Sequence, residues 1–351
     1  MTPKILGISG SLRNIIKPTQ AKILIRELEQ VESYDDILKI LNLLTNLNDL
    51  EKERGKIKNI VSKETSSILN DIKKFTHRNA ASNSEIALLA SLWEAARNGV
   101  EIDYCSLKNH FPANLSIRNS DILSDQLSNA DGILLSGPVY FGDRSSLVDS
   151  LIRFINKNQD ILAALQGVVY GGIAVGAKRN GGQETTLIYQ VMDMTSIGLV
   201  AVGNDSETTC QYGGTAVAGN PGTMLRDQYG LDTSMGTGRR LAKLLKMQAV
   251  RKPLNDRLKI AFLVLKDSTG IAEREIKHIS KQFDNEIEYT ILDISSLNLI
   301  RCLACDKCPK QLGNDTEYRC TVGKNDDFIS LHNSLIDWDA LVPVCVSLRD
   351  P

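Results

Sequence analysis

Four cysteines fall close together near the end of the chain, as Cys302-x2-Cys305-x2-Cys308-x11-Cys320. Two successive Cys-x-x-Cys steps suit thiolate ligation of a [4Fe–4S] cluster, and Pro309 directly after a ligand position fits ferredoxin-type runs. Four thiolates also suit structural zinc, and unligated thiols are the third reading. Lys307 and Lys310 would partly neutralise the thiolate charge in either metal site. Three further stretches carry chemistry of another kind. Ser9, Gly10, Ser11 and Arg13 offer small hydroxyls, backbone amides and a guanidinium, a set suited to a phosphate. Ser136-Gly-Pro-Val-Tyr-Phe-Gly-Asp143 joins a tight turn to two aromatics, where a flat ring could rest, and Gly142 permits close backbone approach. The plainer reading of that octapeptide is a strand-to-helix turn with two buried aromatics. Lys178-Arg-Asn-Gly-Gly-Gln-Glu-Thr-Thr186 is a second glycine-rich loop, with two cations and two amides. No acid–base pair or nucleophile triad stands out, and the four histidines share no motif, so no residue is assigned to acid–base catalysis.

These stretches need elements to hold them. Lys4 to Ser9 is a short apolar strand that runs into the first loop. A helix is expected straight after it, yet residues 14–81 intervene, rich in Leu, Ile, Lys, Asn and Glu. Ile37, Ile40, Leu41, Leu44 and Leu47 keep helical spacing, and Ile57, Ile60, Val61 and Ile68 continue it loosely. The insertion reads as a pair or trio of amphipathic helices packed on the domain, the alternative being a lid or a dimer contact. The pattern resumes at Ser82-Asn83-Ser84-Glu85, a helix start with Glu85 near the capping-box position. Strands follow at 100–104, 132–135, 167–177 and 198–203. Residues 227–232 read as polar loop and 237–246 as a basic helix. After a linker at 251–256 the alternation restarts, with strands at 259–265, 287–291 and 340–346. Repeated strand–helix alternation predicts a parallel sheet covered on both faces. The fold class is therefore α/β: a flavodoxin-like doubly wound sheet over 1–250, with the helical insertion, and an incomplete flavodoxin-like half domain over 251–351 that carries the cysteines.

The balance of 41 basic and 42 acidic residues gives no nucleic-acid footprint. No apolar run reaches membrane-spanning length, and the N-terminus lacks a signal-peptide pattern. Cysteine clustering without an export signal points to a reducing compartment, so the expected location is cytoplasmic.

Gly10-Ser-Leu-Arg13, Ser82-Asn83-Ser84, Gly137-Pro-Val-Tyr-Phe-Gly142 and Arg179-Asn-Gly-Gly-Gln-Glu-Thr-Thr186, in that order, resemble the NADPH-dependent FMN reductase and iron–sulfur flavoprotein family. The resemblance covers residues 1–13 and 82–246. It implies a flavodoxin-like fold that binds FMN and uses NAD(P)H. It places the phosphate at Ser9, Ser11, Arg13, Ser82, Asn83 and Ser84, and the isoalloxazine ring against Pro138, Val139, Tyr140, Phe141 and Gly142. It puts Arg179, Asn180, Gly181, Gly182 and Gln183 at the ring's other edge; by loop position Lys178 and Arg179 are the cations that would stabilise the reduced anion there, unless they are simply a solvated pair. The sequence departs from the family in three ways. The insertion splits the phosphate loop from its helix. The first domain lacks the family's cysteine segment, and that segment stands in the second domain instead. The second domain's own first loop, Lys266-Asp-Ser-Thr-Gly270, lacks the arginine, so no FMN is expected there.

Two functions follow. One is an oxidoreductase that moves electrons from NAD(P)H through FMN to a quinone, a flavin or an iron–sulfur acceptor. The other is an electron-transfer protein reduced by a ferredoxin-like partner, without its own nicotinamide site. The chain is expected to form a homo-oligomer. The half domain is expected to pack on the first domain or on a second subunit, or else the chain is part of a longer product, because its third strand would otherwise present an apolar edge.

Overall fold

The computed structural model describes residues 2–14, 16–45, 81–112, 117–219, 222–250, 257–300, 303 and 326–346. Cys302, Cys305, Cys308 and Cys320 lie outside the described residues, as do Leu47, Ile57, Ile60, Val61 and Ile68. The chain divides into two compact units, Met1–Arg251 and Lys252–Pro351.

The first unit is built on six parallel strands: β1 (Lys4–Ser9), β2 (Glu101–Ser106), β3 (Gly132–Pro138), β4 (Val169–Gly176), β5 (Val200–Val202) and β6 (Gly214–Val217). Their order is β2-β1-β3-β4-β5, which is the flavodoxin-like winding. The fifth position is shared: β5 pairs with Val169–Gly171 and β6 with Ile173–Gly176. The sequence reading identified only the first of these two short strands.

Alternate strand residues feed two cores. Ile5 and Leu134 face one, Leu6, Ile8, Ile133 and Leu135 the other, all at most 1% exposed. The first core is roofed by α1 (Pro18–Gln30), α2 (Tyr34–Thr45), α3 (Asn83–Arg97) and α8 (Gln228–Ala249). The second lies under α4 (Ser120–Ser128), α5 (Ser146–Asn156), α6 (Gln159–Ala164) and α7 (Gln183–Ile197). The described helices of the insertion thus belong to the domain core: Ile37, Ile40, Leu41 and Leu44 of α2 are at most 1% exposed and share a cluster with Trp93 of α3.

Helix α8 starts earlier than expected, so Gln228–Asp232 is helix and not loop. The composition hid it. Thr233, Ser234 and Thr237 donate their hydroxyls to carbonyls one turn back, those of Tyr229, Gly230 and Thr233, and so satisfy buried polar groups at a small cost to the helix. Gly238 is there for contact: a Cβ would stand 2.2 Å from the Ser91 carbonyl oxygen of α3.

The second unit has a three-stranded parallel sheet, β8-β7-β9, from β7 (Leu258–Lys266), β8 (Ile287–Asp293) and β9 (Ala340–Cys345). It carries α9 (Ile271–Ser280) and α10 (Phe328–Leu335). Val264, Ala272 and Ile276 form its small core, flanked by Phe262, Tyr289 and Val344. Its order repeats β2-β1-β3 of the first unit, and one detail repeats with it. Asp131 accepts from the Lys4 N–H at 2.8 Å and returns its own N–H to the Lys4 carbonyl at 2.9 Å. Asp339 and Lys259 make the same pair of bonds at the same distances.

Candidate cofactor site

Three loops leave the carboxyl ends of β1, β3 and β4 in the first unit, where open α/β sheets bind ligands. The first is knitted to its neighbours by hydrogen bonds. The Gly10 N–H donates to the Ser136 carbonyl at 2.8 Å, and Ser145 Oγ donates to the Gly10 carbonyl at 2.6 Å. A Cβ on Gly10 would lie 2.5 Å from Val148 of α5, so only glycine fits. Ser136 Oγ donates to the Ser84 carbonyl at 2.9 Å. Ser82 caps α3: its Oγ accepts from the Glu85 N–H at 3.1 Å, while the Glu85 carboxylate accepts from the Ser82 N–H at 2.9 Å. The loop and the helix start, far apart in sequence, therefore meet, and Ser9, Ser11, Ser82 and Ser84 come together with Arg13 on the same loop. Asn83 faces elsewhere, since its Oδ1 accepts from the Gly222 and Met224 N–H groups.

The Glu85 carboxylate is fully buried and also takes the Ile16 N–H at 3.2 Å and the Tyr104 hydroxyl at 2.8 Å. Burial first, and this carboxylate next, push the Tyr104 hydroxyl well above its usual value, so it stays a donor. Burial, with Asp103 nearby, likewise pushes the Cys105 thiol up to about 12.

The second loop is a tight two-residue turn. Tyr140 and Asp143 exchange backbone bonds at 2.9 and 3.0 Å, and Phe141 (φ 54) and Gly142 (φ 78) are both left-handed. A left-handed phenylalanine is uncommon, and such strain collects at functional sites. Tyr140 is half exposed and Phe141 wholly so, which removes the reading of two buried aromatics. Pro138 ends β3, and the Val139 N–H donates to the Val175 carbonyl at 3.0 Å, so the turn is anchored to β4. On its far side Arg144 pairs with Asp193 of α7. Burial raises the Asp193 carboxyl, opposed by that guanidinium.

The third loop touches the second: a Cβ on Gly182 would lie 2.7 Å from the Gly142 Cα. Asn180 (φ 56) and Gly182 (φ 97) turn the chain, and Gly182 caps α7. Gln183 holds this loop together. Its amide donates to the Lys178 carbonyl at 2.8 Å and the Ala216 carbonyl at 3.2 Å, and accepts from the Gly181 N–H at 2.8 Å. Arg179 pairs with Asp227, donates to the Thr215 carbonyl at 2.9 Å, and lies 4.6 Å from the Tyr229 ring centroid. It walls a cavity of about 220 Å³ with Asn180, Thr185 and Tyr229. Of the two cations, Arg179 is thus engaged by the protein, while Lys178 is exposed and makes no ion pair among the described residues.

The donor set fits a phosphate and an adjoining flat ring. The Arg13 guanidinium and the Ser84 hydroxyl, in a residue only 2% exposed, have no partner among the described residues. An anion would satisfy both, beside the first-turn amides of α3. The sequence reading overlooked Asn14, Arg144 and Asp193. Arg144 directly follows the octapeptide it singled out, and Asn14 directly follows Arg13. Among the described residues no group of three or more His, Cys, Asp and Glu could hold a metal ion. Among them, too, no helix is long and apolar enough to cross a membrane.

The corresponding loop of the second unit is already filled. The Asp267 carboxylate accepts from the Thr269 N–H at 3.0 Å, the Thr269 hydroxyl at 2.9 Å and the Ala272 N–H at 2.7 Å. Burial opposes its charge, but these bonds prevail and hold the carboxyl below its usual value.

A family profile described as NADPH-dependent FMN reductase matches residues 77–207. An iron–sulfur flavoprotein of Methanocaldococcus jannaschii is 33% identical over 178 residues, 47% of this chain and 91% of that protein. An iron–sulfur flavoprotein of Methanosarcina thermophila is 32% identical over 132 residues, 36% of this chain and 62% of that one. An NAD(P)H dehydrogenase (quinone) of Caulobacter vibrioides is 29% identical over 132 residues, 34% of this chain and 65% of that enzyme.

Proposed function

The chain belongs to the family of NADPH-dependent FMN reductases and iron–sulfur flavoproteins, and from that premise we propose that its first unit binds FMN across the three loops and uses it to carry electrons from NAD(P)H to a quinone, a free flavin or an iron–sulfur acceptor. The observation that carries this reading is the pairing of an unpartnered Arg13 and Ser84 at a strand-to-helix loop with a solvent-facing Tyr140–Phe141 turn. Bound FMN would supply the redox chemistry, taking up and releasing electrons. Ser11, Arg13 and Ser84 would hold its phosphate end, with Arg13 as the charged ligand, while Ser9 and Ser82, whose hydroxyls donate to Asn14, would shape the cradle and Asn83 is turned to Gly222 and Met224. Pro138 to Gly142 would bear on one side of the ring and Lys178 to Gln183 on its edge, with Lys178 the cation free to meet negative charge there.

Self-association belongs to the same reading. It is supported by Ile188, Tyr189 and Met192, exposed on α7, and sedimentation of the purified protein measures it. The test of the electron donor is rapid mixing of the flavin-loaded protein with NADPH alone. Prompt bleaching of the flavin band is expected. Bleaching only with reduced ferredoxin would overturn the nicotinamide site.

That second outcome is the prediction of the alternative reading, an electron-transfer protein fed by a ferredoxin-like partner. It is favoured by one observation, the Cys302-x2-Cys305-x2-Cys308-x11-Cys320 spacing. In that reading the four thiolates hold a [4Fe–4S] cluster, with zinc as the other occupant their softness allows. The visible absorption spectrum of the purified protein separates these cases, because a cluster adds broad absorption to the flavin bands and zinc adds none.

A further inference from the structure

We propose that Asn14 is a positioning residue that rebuilds the phosphate cradle across the insertion. The inference rests on the reading that the phosphate of FMN sits at the first loop, and it concerns how this chain can form that site at all. A loop that ran straight into its helix would have its distance from the helix N-terminus fixed by covalent geometry. Here the helix cap, Ser82, is 68 residues away from Asn14. Something non-covalent must set the gap.

Asn14 is 3% exposed, and every hydrogen-bonding position of its amide is in use. Its Oδ1 accepts from Ser82 Oγ at 2.8 Å and from Ser9 Oγ at 3.1 Å. Its Nδ2 donates to Ser106 Oγ at 2.8 Å and to the Ser9 carbonyl at 3.2 Å. Its N–H donates to the Ser11 carbonyl at 3.2 Å, and its carbonyl accepts from Lys108 Nζ at 2.9 Å. One side chain therefore ties the end of β1, the end of β2 and the cap of α3 to a single point. Ser11 and Arg13 belong to the loop that enters this junction and Ser84 to the helix start that leaves it. A phosphate shared between them needs both sides held in register, and an error of an ångström at such a site is costly.

Other bonds also clip the insertion down, so the chain is expected to fold without this side chain. The Ile16 N–H donates to Glu85 and the Ala81 N–H to the Leu44 carbonyl, at 3.2 and 2.8 Å. Asn14→Ala should therefore misplace the cradle while leaving the ring-bearing loops at 138–143 and 178–183 as they are.

The experiment titrates the full-length chain, stripped of flavin, with FMN and separately with riboflavin, which lacks the phosphate, following flavin fluorescence. In Asn14→Ala the FMN affinity is expected to fall by about tenfold or more, the scale of one to two lost hydrogen bonds. Riboflavin affinity is expected to stay within about twofold of the parent. Asn14→Asp keeps the shape and the two acceptor bonds but turns the donor edge into an anion. It should show the same preferential loss of FMN, so the proposal stays testable if the alanine variant fails to fold. Equal losses for both flavins, or no loss of FMN in either variant, would overturn the role of Asn14 while leaving the flavin site standing. A parent protein that binds neither flavin would overturn this inference together with the reading beneath it.

Discussion

Arg13 is exposed and has no carboxylate partner among the described residues, so its charge is available to a ligand. Arg13→Ala should weaken FMN binding by about 1.5–3 kcal/mol, the range of a charge-assisted hydrogen bond; a fluorescence titration that gave an unchanged dissociation constant would refute the assignment. Phe141 carries the opposite trade. Its left-handed backbone costs a non-glycine residue about 1–2 kcal/mol, and Asn tolerates that conformation better. Phe141→Asn is expected to raise the melting temperature and to lower affinity for riboflavin, because the exposed ring serves the ligand and not the fold. His110 gives the pH dependence. Burial holds its imidazole below the usual value, against the pull of the Arg118 and Asn119 backbone. The unfolded chain then takes up a proton at a pH where the folded chain resists it. This contribution to stability is complete above about pH 7 and is lost as the pH falls from the ordinary histidine value of about 6.5 through the lowered value of the folded chain. Denaturant melts near pH 7.5 and pH 5.5 should show that loss in the parent and less of it in His110→Gln.

Among the elements, α2 decides what the insertion is. Leu41, fully buried, sits in the main core. Leu41→Ala should destabilise the first unit by about 2–5 kcal/mol in denaturant titration, as a core truncation does. A lid would tolerate the change with little loss. The sequence foretold the strands well where they are continuous apolar runs, as in Ile133 to Leu135, because burial on both faces leaves no other pattern. It missed β6, four residues of which Gly214 and Thr215 carry no apolar signal. It also missed the start of α8, whose glycines and hydroxyls serve contacts made only after folding. The candidate loops were legible for a different reason: glycine, serine and arginine at strand ends announce themselves locally. Asn14 did not, since its role depends on Ser82 and Ser106, 68 and 92 residues away. Arg179 was legible as a cation at the right loop, but its hold on Asp227 and the Thr215 carbonyl depends on β6 and α8, the two elements least visible beforehand.

At the scale of the molecule, the two units repeat one winding with unequal equipment. The first has open donors at its β1 loop, and the second has the Asp267 carboxylate bound at the start of α9. FMN at about 100 times its dissociation constant should add about 2.7 kcal/mol to the stability of the first unit by mass action. Hydrogen exchange resolves where that gain falls: amides of β1 and α3 should slow with added FMN, and those of Ile271 and Ala272 at the start of α9 should not. Asp267 acts as a tethered counterion, whose carboxylate is held at the loop by its own chain and needs no capture from solution. The second loop is in effect saturated from the moment it folds, in a cell rich in flavin or starved of it. The proposed flavin site lies in the first unit, so the fraction of this protein that survives heat or proteolysis should follow the flavin pool through that half of the chain.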